Sequence, residues 1–170
     1  GQMARESEPD IRQMFIVGCD NQAQLEDKLY LARKQAERLL SQSEIIEDKK
    51  SCYFASLSTR TMVYKGMLTS KQLREYFDDL NDRYFTSAIA LVHSRFSTNT
   101  FPTWSLAQPF RMLGHNGEIN TIRGNRLWIK AREALLRTDN LGSITKSVSP
   151  IIESGMSDSA SFDNVLEFFT

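Results

Sequence analysis

This chain has no long apolar run, almost no cysteine and no net charge, and each absence removes a class of function. Its longest apolar stretch, Ala88 to Val92, is far short of the roughly 20 residues that a membrane-spanning helix needs. The opening Gly1-Gln2-Met3-Ala4-Arg5-Glu6 carries no hydrophobic segment of the secretory type. Lysine plus arginine and aspartate plus glutamate balance at 21 each. No basic footprint therefore points to nucleic acid or to an anionic membrane. The 2 cysteines, Cys19 and Cys52, form neither a C-x-x-C metal pair nor a disulfide framework. That usage sets the expectation of a reducing, cytoplasmic location. No repeat, low-complexity tract or Pro/Gly/Ser linker divides the chain.

What is present suits one globular domain, with 41% apolar residues over 170. Over 22–40, Leu25, Leu29, Ala32, Ala36 and Leu39 recur at alternating spacings of four and three. That periodicity predicts an amphipathic helix, with Asp20 or Asn21 as its N-cap. The intervening charges are expected on its solvated face. Thr69 is placed to cap a short helix reaching about Phe77. A further helix is expected from Thr121, with Leu127, Trp128, Ala131, Leu135 and Leu136 on its apolar side, although Gly124 weakens it. Strand candidates are Phe15–Val17, Cys52–Leu57, Thr61–Tyr64, Ser87–His93 and Phe110–Leu113. The fourth, a continuous apolar run, is expected to be buried on both faces. Phe162, Val165, Leu166 and Phe169 sit at i, i+3, i+4 and i+7, a helix still running where the sequence stops. It has no C-cap signal, so the chain is expected to be a piece of something larger.

Polar clusters interrupt this pattern at particular places. His93-Ser94-Arg95-Phe96-Ser97-Thr98-Asn99-Thr100 follows the apolar run. Arg95 there offers a planar fork suited to a carboxylate, or to a structural ion pair. His93 reads as a satisfied core histidine. His115-Asn116-Gly117-Glu118 is first of all a turn, since Asn-Gly is a frequent turn dipeptide. An Asn side chain and a Gly N–H can also be aimed together at a developing oxyanion. His115 reads as structural, because neither cysteine lies beside it in a nucleophile context. Ser157-Asp158-Ser159-Ala160-Ser161 reads as an N-cap, and Asp158 is also suited to hold an ammonium group. A carboxylate fork, an oxyanion donor pair and an acid for an amine are the equipment for gripping a free amino acid and acting on its side-chain carbonyl.

The stretch "HSRFSTNTFPTWSLAQPFRMLGHNGEINTIRGN", 93–125, resembles the glutamine amidotransferase domain of the glutamate synthase family. "ARESEPDIRQMFI", "LYLARKQAERLL", "VYKGML" and "GMSDSASFDNVLEF" share that resemblance, which covers nearly the whole chain. More broadly it is a resemblance to class II glutamine amidotransferases. That implies an α+β fold, part of a four-layer αββα sandwich of the N-terminal-nucleophile type. Residues 1–170 would be a partial amidotransferase domain, truncated at both ends. By the same resemblance, Arg95 matches the arginine that binds the α-carboxylate of L-glutamine, and Thr98 lines that pocket. Asn116 and Gly117 match the oxyanion hole, and Asp158 matches the acid that holds the α-amino group.

The resemblance also implies what this stretch lacks. The family nucleophile is a cysteine at the mature N-terminus, whose own amine serves as its base. Here position 1 is Gly, and Cys19 and Cys52 lie in no catalytic motif. This chain alone is therefore expected to be inactive. No cofactor is expected in it; FMN and an iron–sulfur cluster belong, by resemblance, to the synthase remainder of the large subunit. That remainder would aminate 2-oxoglutarate with the released ammonia. The electron donor, a nicotinamide cofactor through a small electron-transfer subunit or else ferredoxin, is specified outside this region. One alternative is a non-catalytic module that senses glutamine or serves as an interaction surface. Another is a cysteine hydrolase pairing Cys52 or Cys19 with His93 or His115.

Overall fold

The computed structural model describes residues 1–18, 21–46, 52–95, 101–135 and 148–170. Its α-helices are α1 (Gln2–Glu6), α2 (Gln22–Gln42), α3 (Ser70–Tyr76), α4 (Ile122–Glu133) and α5 (Asp158–Phe169), with a 3₁₀ turn at Asp78–Asn81. The caps follow from the sequence. Asn21 accepts the Gln24 N–H at 3.1 Å and starts α2. Thr69 and Gln72 form a reciprocal capping box at α3. Ser157 accepts the Ala160 N–H at 3.1 Å and starts α5.

The helix faces depart from expectation, and in the same way each time. On α2 Leu29 is buried, but Leu39 is 68% exposed, while Arg33 and Lys34 are only 1% and 4% exposed. These cations were expected in solvent. They are inside because the C-terminal segment adds acids and carbonyls to what α2 itself offers: Arg33 meets Glu37 of α2 at 2.7 Å and Glu167 of the C-terminal segment at 2.6 Å. Lys34 reaches Glu153 at 2.8 Å and the Pro150 carbonyl at 2.9 Å. Charge is buried here only where it is paired. On α4 the expected apolar side is outside, with Leu127, Trp128 and Leu135 exposed; Leu136 lies outside the described residues. Its polar residues pack instead. Arg126 bonds the Met156 carbonyl at 2.6 Å and Ser161 Oγ at 2.8 Å. Glu133 accepts from Ser149 Oγ at 2.7 Å and from the Ile151 N–H at 2.9 Å. On α5 Ser159, Ser161, Asp163 and Asn164 are buried, and Phe162 and Phe169 are exposed.

The strand expectations are corrected. Among the described residues no segment forms a strand. Ser87–His93, expected to be buried on both faces, leaves Ile89 84% and Val92 80% exposed. Phe15 and Val17 are exposed as well. A strand exists only through a neighbouring ladder that pairs its N–H and C=O groups, and apolar composition supplies the propensity alone. Phe110–Leu113 fails for a local reason. The chain folds back so that the Phe110 N–H bonds the Leu113 carbonyl at 2.8 Å.

That fold-back belongs to the segment that organises the centre. Trp104, Ala107 and Phe110 are buried, and the Trp104 indole N–H bonds the Ala4 carbonyl at 3.0 Å. Arg111 reaches Glu167 at 2.9 Å and Asn164, and the Met112 N–H bonds Asp163 at 2.7 Å. Segment 101–113 thus fastens α1 at one end and α5 at the other, just before the His-Asn-Gly sequence.

Candidate functional site

The site is built on the bend that follows this segment. Gly114 brings the chain against His93: a β-carbon there would sit 3.5 Å from His93 Cβ and 3.4 Å from Pro109 Cβ. Gln108 Oε1 accepts the His115 N–H at 2.9 Å. The chain then bends at Asn116-Gly117, and both residues are exposed. Two residues on, the Ile119 N–H reaches Asp158 Oδ2 at 2.9 Å at the start of α5.

Both histidines use the same local device. His93 Nδ1 accepts the Arg95 N–H, and His115 Nδ1 accepts the Gly117 N–H, each at 3.1 Å. Each histidine therefore fixes the backbone two residues ahead of it, at the positions singled out from sequence. His115 continues outward, with Nε2 2.8 Å from Ser159 Oγ. His93 Nε2 is buried with no partner among the described residues, so the expected satisfied core histidine is satisfied on one side.

Asp158 is held firmly. Its Oδ1 accepts from the Ser159 N–H at 2.6 Å and the Ser159 hydroxyl at 3.1 Å. Burial alone would raise this carboxyl. The N–H groups of Ile119 and Ser159, the Ser159 hydroxyl and the nearby His115 outweigh it and hold the group below the ordinary carboxylate value. Asp158 is therefore ionised at neutral pH.

The sequence-predicted residues divide as follows. The Asn116-Gly117 bend and Asp158 are brought together by the contacts of His115 with Ser159 and of Ile119 with Asp158, whereas the contact of Arg95 is the local one from its N–H to His93. Thr98 lies outside the described residues, as does Cys19. Cys52 is a free, exposed thiol. Sequence reasoning missed Gln108 and Ser159. The first carries no motif signal, since its contact depends on the bend that folds the chain back over seven residues; the second was absorbed in the N-cap reading of "SDSAS". Beside the polar cluster, and sharing Ile119 with it, an apolar cavity of about 590 Å³ opens between α4 and α5, lined by Ile122, Trp128, Ile129, Phe162 and Val165. Among the described residues, no group of three or more His, Cys, Asp or Glu side chains is placed to hold a metal ion. No described helix is long and apolar enough to cross a membrane.

Comparison with known proteins gives the family of the chain. The sequence profile of the class-II glutamine amidotransferases matches residues 1–170. The glutamate synthase [NADPH] large chain of Bacillus subtilis is 47% identical over 99% of this chain and 11% of its own length. The glutamate synthase [NADH] of Schizosaccharomyces pombe is 47% identical over 98% of this chain and 8% of its own. The chloroplastic ferredoxin-dependent glutamate synthase of Oryza sativa subsp. japonica is 43% identical over 98% of this chain and 10% of its own. The chain thus spans about a tenth of the length of the curated relatives it matches.

Proposed function

The chain belongs to the class-II glutamine amidotransferases, and from that premise we propose that it supplies the glutamine-recognition and oxyanion half of a glutaminase site. Membership implies the N-terminal-nucleophile hydrolase fold. In our reading residues 1–170 are part of that domain.

Each role follows from charge and placement. Arg95 takes the α-carboxylate of L-glutamine through its fork, with Thr98 beside it, and Asp158 takes the α-ammonium. Asn116 donates to the oxyanion formed on the side-chain carbonyl, and Gly117 joins it once its N–H, bonded to His115 Nδ1 at 3.1 Å in this structure, turns to the substrate. The nucleophile is a cysteine outside these 170 residues. Its sulfur bonds the amide carbon, ammonia leaves, and water hydrolyses the thioester to glutamate. The ammonia serves a synthase region of the same protein, which aminates 2-oxoglutarate. FMN, an iron–sulfur cluster and the contact with the electron donor lie in that region, and no residue of this chain is assigned to them.

One observation carries this reading. The Asn116-Gly117 bend and Asp158, far apart in sequence, are tied by the Ile119–Asp158 bond at 2.9 Å and the His115–Ser159 bond at 2.8 Å. An oxyanion donor pair and an ammonium-binding acid on one fastened unit are what a glutamine side chain and its α-amino group require. In the full-length enzyme, Asn116→Ala should lower kcat for glutamine hydrolysis by about 100- to 1000-fold with little change in KM. A rise in KM at unchanged kcat would remove the oxyanion role. Glutamine binding without turnover in the full-length protein would support the sensor reading instead.

A further inference from the structure

His115 occupies the one backbone donor that the oxyanion reading needs. The Gly117 N–H donates to His115 Nδ1 at 3.1 Å, so in this state it is turned to the imidazole and is not free for a substrate. Because Nδ1 accepts, the neutral ring bears its proton on Nε2, which donates to Ser159 Oγ at 2.8 Å.

The two partners differ in freedom. His115 is anchored on both sides: Gln108 Oε1 accepts its backbone N–H at 2.9 Å, and Ser159, 0% exposed, meets its far nitrogen. Gly117 is exposed. Among the described residues a β-carbon built on it would meet only His115 Nδ1, at 3.5 Å. The acceptor is fixed, and the donor is the part that can turn.

A hydrogen bond to a charged acceptor is about twice as strong as one between neutral groups. The side-chain carbonyl of bound glutamine is neutral. It competes with Nδ1 on even terms and gains little by drawing the N–H away. The oxyanion, being charged, wins the exchange.

We infer that His115 is a positioning residue that withholds the Gly117 N–H from the ground-state substrate and yields it only as negative charge develops. This rests on the oxyanion role proposed above for Gly117. A donor that gripped substrate and transition state alike would lower KM without raising kcat. By holding the N–H back, His115 keeps the grip on glutamine weak and leaves turnover intact. The product glutamate is held weakly for the same reason, since its side-chain carboxylate must also break the Gly117–His115 contact to gain that donor.

The sign of the effect sets it apart from a structural role, whose loss weakens binding. Steady-state glutamine hydrolysis by the full-length enzyme tests it, with glutamate as product inhibitor. In His115→Gln the terminal amide replaces Nε2 toward Ser159, and no acceptor remains at the Nδ1 position. In His115→Asn the side-chain oxygen takes the place of Nδ1 and keeps the acceptor. His115→Gln should lower KM for glutamine and the inhibition constant of glutamate by about five- to tenfold, the worth of one neutral hydrogen bond, at nearly unchanged kcat. His115→Asn should lower neither.

Should His115→Gln fail to fold by thermal melting, His115→Leu decides. It matches His115→Asn in shape, loses the Ser159 contact equally and differs in lacking the acceptor, so its KM should lie below that of His115→Asn by the same factor. A KM that is unchanged or raised in the variants without the acceptor, or that falls equally in His115→Asn, would overturn the inference. Asn116→Ala in the same assay keeps the two claims apart. If it lowers kcat while the His115 variants leave KM in place, only the role of His115 falls; if it leaves kcat unchanged, the oxyanion reading itself falls.

Discussion

Arg33 and Glu167, 134 positions apart in sequence, meet at 2.6 Å and join α2 to α5. The guanidinium is almost fully removed from water, and the same Glu167 oxygen also receives Arg111 at 2.9 Å. One carboxylate therefore neutralises cations from two parts of the chain that share no other acid among the described residues.

Glu167→Ala is expected to destabilise the protein by about 3–5 kcal/mol, because it takes the acid shared by two largely buried guanidiniums and leaves Arg33 with Glu37 alone. Glu37→Ala takes a partner from Arg33 and, at 3.7 Å, from Lys34, but leaves Arg33 with Glu167 and Lys34 with Glu153, and should cost less. Chemical denaturation of both variants checks the ranking. Equal losses would mean that Arg33 draws its compensation within α2 and not from α5.

Lys65 gives a pH-dependent counterpart. Its ammonium is buried against the Phe110 ring, 4.9 Å from the centroid, and bonds the Ser105 carbonyl at 2.7 Å. Burial, aided by the positive charge of Arg111 and opposed by Asp163, pushes this amine down to about 7 from an ordinary value of 10.5. Between those values the unfolded chain holds a proton that the folded chain does not. Stability must therefore rise as pH increases across that window. Lys65→Met should abolish this rise, so the variant gains most relative to the parent at or below neutral pH and less above pH 10. Melting temperatures across that range test it, and an unchanged slope in Lys65→Met would show that the amine stays charged when folded.

The same buried charges show where the sequence was readable and where it was not. Helix starts were legible, because a cap is a contact between residues three apart: Asn21 with Gln24, Thr69 with Gln72, Ser157 with Ala160. Helix faces were not. Leu25, Leu29, Ala32, Ala36 and Leu39 define a stripe by periodicity, but what covers a stripe is decided by distant elements, and here Glu167, Glu153 and Pro150 cover Arg33 and Lys34 instead. Strands were the least legible, since Ser87–His93 has the composition of a buried strand and no ladder among the described residues to pair with. At the candidate site Arg95, Asn116, Gly117 and Asp158 stood out by residue type and motif, whereas Ser159 and Gln108 act through contacts that span 44 and 7 positions and left no local trace.

Gly66 is expected to be intolerant of any side chain. A β-carbon there would lie 2.8 Å from Trp104 Cε3 and closer still to Cζ3. The indole cannot retreat easily, being buried and bonded through its N–H to the Ala4 carbonyl. Gly66→Ala should cost about 1–3 kcal/mol as overpacking. Gly114→Ala meets its neighbours only at ordinary contact distances of 3.4 and 3.5 Å and should be much milder. Reversal of that order in thermal melts would mean that the Trp104 ring is free to shift.

Thr121 is expected to be the reverse case, a residue whose replacement stabilises. It precedes α4 with φ 60 and ψ 20, makes no side-chain cap bond, and spends its hydroxyl on the Asn120 carbonyl at 2.6 Å. A left-handed conformation costs an L-residue roughly 1–2 kcal/mol, and β-branching makes it worse. Glycine adopts it freely and is acceptable at an N-cap, so Thr121→Gly should raise stability by about 1 kcal/mol after the loss of the hydroxyl contact. The strain sits two residues beyond Ile119, whose N–H is fastened to Asp158, which is where stored strain tends to gather. Because that bond and not Thr121 anchors the bend, KM for glutamine in the full-length enzyme should stay unchanged while the melting temperature rises. A more stable Thr121→Gly variant with a raised KM would instead make the left-handed turn itself part of how Asp158 is presented.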